Sequence, residues 1–311
     1  MPTREYDEIL VTLANLVDAK NETTAQLAMD TLAHMVAVFE SRDREERADE
    51  RRRHLSRLVG LLMKGLASYH DTVKLETLGA LGRSIFGNQQ LSLAYRRDIF
   101  DVAYKRLLML VVNEEEAGEL DFYARCALLN HLYRFLSDYF LGGDPWHLYE
   151  NKKVAFFPGT FDPFTLGHKA IVQNIRDAGF EVYLGLDEFS WSKNTQPTQI
   201  RRAIVKMSVA EEENVFLFPP IFPVNIASAE DLARLAEVFN NKDLYLVVGS
   251  DVLANASAYR QPRDSYSVHQ FNHIIVRRAE DGMSPEAKAE ALARLDGDAC
   301  LLYTSPSPRD S

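Results

Sequence analysis

Hydrophobic residues follow two different rhythms along the chain. Up to about residue 141 they recur at steps of three and four, as on helices that bury one stripe. Beyond residue 152, short apolar runs of strand length alternate with helical stretches. In the first part, Tyr6, Ile9, Leu10, Leu13, Leu16 and Val17 predict a helix capped at Thr3; Leu27, Leu32, Met35, Val36 and Phe39 predict a second, and Leu55, Leu58, Val59, Leu62, Met63, Leu66 and Tyr69 a third. Asp71 is the expected cap of a fourth helix carrying Leu75, Leu78, Ile85 and Phe86, and further helices are expected over 91–112 and 120–141, the last closed by Gly142-Gly143. These six make an all-α domain over 1–143, arranged like helical repeats but without self-similarity strong enough to assert them.

Gly142-Gly143-Asp144-Pro145 is a breaker cluster, and 144–151 is expected to be a linker. After it, strands are expected over 154–159, 180–186, 215–218, 244–248 and 273–276, with helices from Gly167 and over 198–209 and 229–239. Such alternation implies parallel strands joined by right-handed crossovers. The fold class is therefore α/β, a Rossmann-like doubly wound parallel sheet over 152–299, preceded by the all-α domain. Ligands of such a sheet bind beyond the carboxyl ends of its strands.

Charge narrows the function. A net charge of −10 and a pI near 5.4 argue against a general nucleic-acid or anionic-membrane surface, so phosphates would be met by local basic residues. No apolar run reaches spanning length and no basic segment with an apolar stretch opens the chain, which places the expectation in the cytoplasm, with no membrane partner. Cys126 and Cys300 make no disulfide framework, and Cys126, on an apolar helix, is expected to be a small buried side chain. The mixed-sign run over 42–53 reads as a solvated face, and His34, His54, His70 and His131 lack metal-ligand spacing.

The candidate chemistry lies in the strand, loop and helix start that run from Val154 through Pro158-Gly159 to His168. A turn of this kind sets backbone N–H groups and the positive end of a helix dipole at the sheet edge, where phosphates bind. Gly159 would let a ligand approach the backbone, and His168 in the first helical turn could donate to a phosphate oxygen.

Gly159-Thr160-Phe161-Asp162-Pro163 followed by Thr165-Leu166-Gly167-His168 resembles the opening signature of the nucleotidyltransferase superfamily marked by (His/Thr)-x-Gly-His, the cytidylyltransferase-like domain. Within it, the Asp-Pro is similar to the nicotinate/nicotinamide mononucleotide and the pantetheine-phosphate adenylyltransferases. The resemblance implies AMP transfer from ATP, assisted by Mg²⁺ on the triphosphate, to the phosphate of a small acceptor with release of pyrophosphate. It assigns His168 and Thr165 to the α-phosphate, and Gly159, Thr160, Phe161, Asp162 and Gly167 to the nucleotide cradle.

Ser192-Lys193 and Arg201-Arg202 resemble the family's Lys and Arg that handle substrate phosphate and order the loop; a solvated basic loop is the other reading of Lys193. Gly249-Ser250-Asp251 resembles a strand end that lies near the nucleotide ribose in the mononucleotide enzymes, and reads equally as a helix cap. Arg277-Arg278 resembles the family's strand-end Arg, with a snorkelling surface pair as the competing reading; Arg278 is taken as a phosphate ligand. Thr165 matches the pantetheine-phosphate enzymes, whereas the Gly-Ser-Asp and Ile-Ile-Val-Arg-Arg segments match the mononucleotide enzymes, which are favoured. A nucleotide-binding scaffold without turnover is the alternative from another class. The helical domain is expected to bind a protein or self-associate.

The family's second signature, Ile-Ser-Ser-Thr-x-x-Arg, has no match after His273. Residues 300–311 resemble the in-frame translation of a sequencing adapter, which implies a natural chain cut near Ala299 and a C-terminally incomplete domain over 152–299; a natural Ser/Pro-rich tail is the other reading. This tail is expected not to pack.

Overall fold

The computed structural model describes residues 3–41, 48–112, 118–142, 151–186, 195–220, 222–260, 267–277, 295 and 297–303. The chain forms two compact units, one of Met1–Tyr149 with Ala210–Glu213, the other of Glu150–Val209 with Asn214–Ser311.

The first unit is helical: α1 (Thr3–Val17), α2 (Glu22–Phe39), α3 (Ala48–Lys64), α4 (Asp71–Gly79), α5 (Leu93–Val112) and α6 (Phe122–Leu141). Its core holds Leu10, Leu32, Leu58, Leu62, Leu81 and Phe86 at or near zero exposure. Asn21 caps α2 by accepting from the Thr24 N–H at 3.0 Å, and Asp121 caps α6 through the Ala124 N–H at 2.8 Å. Asp71 is not a cap as expected but the first helical residue, with His70 at the cap position, because the extended backbone ends one residue earlier. From Ala80 to Phe86 the α4 spiral widens into a π turn, closed by a Gly87 N–H to Gly82 carbonyl bond of 2.7 Å.

Cys126 is exposed, not buried as expected. Leu128, Leu132, Phe135 and Tyr139 face the core, while Phe122, Tyr123, Tyr133, Phe140 and Leu141 are exposed. With apolar side chains all round α6, periodicity alone does not say which face is buried. The short acidic segment 210–213 belongs to this unit by tight local packing. Glu212 is buried, its carbonyl accepts from Arg106 Nη2 at 2.6 Å, and the Glu211 carbonyl abuts Gly60, where a Cβ would collide with it.

The second unit is a six-stranded, wholly parallel sheet in the order β3-β2-β1-β4-β5-β6. Its strands are β1 (Lys153–Gly159), β2 (Glu181–Leu186), β3 (Val215–Leu217), β4 (Asp243–Gly249), β5 (Asn272–Arg277) and β6 (Ala299–Tyr303), with α7 (Leu166–Asp177), α8 (Thr198–Val209), α9 (Ala229–Val238) and α10 (Ser250–Asn255) between them. Alternate residues of the central strands enter two cores. Ala155, Val182, Leu184 and Val247 pack with Val172 and Ile175 of α7 and Val205 of α8, and Val154, Phe156, Leu246 and Val248 pack with Leu232 and Leu235 of α9. Two buried faces make the strands apolar throughout, as parallel sheets require, and the doubly wound expectation holds. Gly185 is a packing requirement, since a Cβ there would lie 2.5 Å from the Phe156 ring.

Cys300 to Tyr303 do join the sheet, against expectation, because Ala299–Tyr303 is an apolar run of strand length and its backbone pairs with β5 from His273↔Ala299 to Arg277↔Tyr303. Among the described residues no helix is long and apolar enough to cross a membrane.

Candidate active site at the head of the central strands

The strand order turns outward in opposite directions from β1 and β4, so a crevice opens between their carboxyl ends. The pairing Lys153↔Asp243 to Phe156↔Leu246, carried forward, brings Gly159 level with Gly249. Two of the expected segments therefore border one crevice.

At the end of β1 the chain passes Thr160 and enters the left-handed region at Phe161, whose φ is 47°. The Phe161 ring is buried and folds back over Gly159, where a Cβ would lie 2.7 Å from it. Gly159 is thus needed to seat Phe161, and the expected close approach of a ligand is not what excludes a side chain there.

Thr165 caps α7, and its hydroxyl receives the His168 N–H at 3.4 Å. In return His168 Nδ1 accepts the Thr165 N–H at 3.0 Å, which completes a capping box. A nitrogen that accepts a backbone N–H carries no proton, so the neutral ring holds its proton on Nε2 and offers it as a donor. Phe161 meets the ring edge-on, with centroids 5.4 Å apart, and Phe164 stacks on it at 5.5 Å. The first intrahelical bond is Lys169 N–H to the Thr165 carbonyl. The amides of Leu166 and Gly167, one turn earlier, have no hydrogen-bond partner among the described residues, and a helix start of this kind favours an anion. Gly167 has open space, the nearest atom to a Cβ being Thr165 Oγ1 at 3.6 Å.

Arg201 ties loop segments together. It is 3% exposed, and its Nε, Nη1 and Nη2 donate to the Gln196 carbonyl at 3.0 Å, the Thr160 carbonyl at 2.5 Å and the Thr198 hydroxyl at 3.1 Å. All three guanidinium nitrogens thus donate to protein acceptors. Asp162 is exposed, and its Oδ2 accepts the Gln196 N–H at 2.9 Å. Gly249 sits at the cap position of α10, Ser250 is buried and Asp251 half-buried. Lys193 and Arg278 lie outside the described residues.

Among the expected residues, the structure brings together Gly159, Thr160, Phe161, Asp162, Thr165, Gly167 and His168, with Arg201 behind them. Phe164 was missed, although it lies inside the signature between Pro163 and Thr165; its burial and its stacking on His168 mark it as a support of the imidazole. Among the described residues no group of three His, Cys, Asp or Glu side chains could hold a metal ion.

Residues 156–296 match the Cytidylyltransferase-like family. A phosphopantetheine adenylyltransferase of Phocaeicola vulgatus is 36% identical over 61 residues, covering 20% of this chain and 40% of that protein. Another, from Xylella fastidiosa, is 31% identical over 65 residues, covering 21% and 40%. The chain thus spans about 40% of the length of these curated relatives. A solved Plasmodium falciparum nicotinic acid mononucleotide adenylyltransferase, complexed with APC, is 15% identical with a TM-score of 0.40, covering 51% of this chain and 77% of that one.

Proposed function

Taking residues 156–296 as a cytidylyltransferase-like domain of the nucleotidyltransferase superfamily, we propose that the chain transfers AMP from the magnesium complex of ATP to a phosphate monoester. An acceptor phosphate oxygen attacks the α-phosphorus in line, the bond from that phosphorus to the β-bridging oxygen breaks, and pyrophosphate leaves with its Mg²⁺. The chemistry asks the protein for alignment and for donors to developing charge, with no covalent intermediate. The observation that carries the reading is the Thr165–His168 capping box, which fixes Nε2–H as a donor beside the first-turn amides of α7 at the head of β1. Magnesium arrives with the triphosphate in this scheme.

For the acceptor, the Gly249-Ser250-Asp251 strand end level with Gly159 supports nicotinate or nicotinamide mononucleotide, forming a dinucleotide for NAD biosynthesis. Thr165 and the two phosphopantetheine adenylyltransferase relatives support pantetheine phosphate as the second reading. Pyrophosphate release is measured with ATP, Mg²⁺ and each acceptor in turn. Turnover at least tenfold faster with the mononucleotide is expected; the reverse ratio assigns the pantetheine substrate. No release with either, alongside measurable ATP binding, leaves a nucleotide-binding scaffold.

A further inference from the structure

Two hydrogen-bonded ties join the loop after β1 to the segment before α8. Arg201 reaches from the first turn of α8 and donates to the Thr160 carbonyl on one side and the Gln196 carbonyl on the other, at 2.5 and 3.0 Å. Asp162, two residues beyond Thr160, accepts the Gln196 N–H at 2.9 Å. Gln196 is therefore held through both its backbone polar groups, its N–H by the Asp162 carboxylate and its C=O by the Arg201 guanidinium. Thr160 lies just past the last residue of β1, and among the described residues no sheet partner fixes its carbonyl. Its orientation decides how the chain turns into the left-handed Phe161, whose ring supports His168 edge-on.

We infer that Arg201 and Asp162 form a latch that positions the His168 loop, and that neither acts as a substrate ligand. The latch rests on the adenylyl-transfer reading only for its kinetic consequence. Three observations converge on it. Arg201 is 3% exposed with donors turned in three directions, a geometry for tying loops and not for clasping one anion. Asp162 acts here as an acceptor for a neutral backbone amide, a task that an amide side chain performs as well. Both ties end on the same residue, Gln196, immediately after the segment that carries Lys193 in the sequence. Breaking either tie frees the loop without removing any group proposed to touch ATP.

The test uses the intact chain and compares Arg201→Met, Asp162→Ala and Asp162→Asn. Backbone amide exchange over 158–165 and 195–200 is followed by mass spectrometry without nucleotide, with β4 as the internal control. Arg201→Met and Asp162→Ala should speed exchange of both segments at least tenfold and leave β4 unchanged; Asp162→Asn should resemble the parent. In the pyrophosphate assay the first two should lower kcat roughly 10- to 100-fold, the scale of a misplaced reacting geometry, with KM for ATP within about threefold. Unchanged exchange in Arg201→Met, or Asp162→Asn as damaging as Asp162→Ala, overturns the latch. A KM for ATP that rises with unchanged exchange makes Arg201 a phosphate ligand and also overturns it. If the parent chain releases no pyrophosphate while the exchange pattern holds, the latch stands and the proposed activity falls.

Discussion

Two histidines in the second unit are held by the same device, a backbone group that dictates which ring nitrogen keeps the proton. In His168 the backbone donates to Nδ1, leaving the proton on Nε2. Replacing His168 by Ala removes that donor and should lower turnover roughly 10²–10³-fold in the pyrophosphate assay, the scale for losing one donor to developing charge. Near-normal turnover would move the chemistry elsewhere. In His273 the pattern is inverted: Nδ1 lies 2.8 Å from the Phe271 carbonyl and donates to it, so Nε2 accepts the Tyr259 hydroxyl at 2.9 Å. His273 is fully buried, and desolvation, opposed only partly by the Phe271 bond, lowers its pKa to about 4. An unfolded chain takes up this proton below its ordinary value, near 6.5, while the folded one does not until pH 4. The contribution is complete above pH 6.5 and is lost as pH falls through that window. Between pH 7.5 and 5 the unfolding free energy should therefore drop by about 2 kcal/mol more than in His273→Leu, as measured by urea titration. Equal pH slopes for the two proteins would refute the assignment.

Elements differ in how plainly the sequence announces them. β1, β2, β4 and β5 are apolar runs bounded by glycine, polar turns or charge, and their positions follow from burial on two faces. β6 has the same pattern, but the Ser/Pro-rich residues after it made its apolar run read as part of a tail, and only the open edge of β5 gives it a partner. Ending the chain at Asp298 should consequently raise amide exchange in Asn272–Arg277 and leave β1 protected; an unchanged β5 would mean that the β6 pairing contributes nothing. In the site, the signature made Thr165 and His168 legible as a pair, since a cap and its third helical residue are local in sequence. The contacts of Arg201 were not legible, because two of its acceptors are backbone carbonyls, one of them 41 residues away, and carbonyls leave no mark on a residue pattern.

For the whole molecule, the change of hydrophobic rhythm near residue 150 coincides with the division between the two units at Tyr149 and Glu150. Limited proteolysis should cut first between Leu141 and Asn151, where breakers separate the two apolar patterns, and yield fragments near these sizes. Protection of that stretch with cleavage elsewhere would contradict the boundary. What no rhythm reveals is that 210–213 packs with the first unit. Ala210-Glu211-Glu212-Glu213 carries three carboxylates and no apolar pattern, yet Gly60 offers it a backbone seat and Arg106 donates to a carbonyl that has no side-chain signature.

The position of β1 in the sheet has a consequence for synthesis. One edge of this strand pairs with β2, soon after it in the chain, while the other pairs with β4, so Lys153 must wait for Asp243. Roughly ninety residues must leave the ribosome in between, which at 5–20 residues per second takes on the order of 5–20 s. During that interval a growing chain presents Val154, Ala155 and Phe156 on an unpaired edge, a template for another nascent chain. Slow translation before residue 243 should therefore favour aggregation of the ribosome-bound chain, and a chaperone that covers strand edges should relieve it.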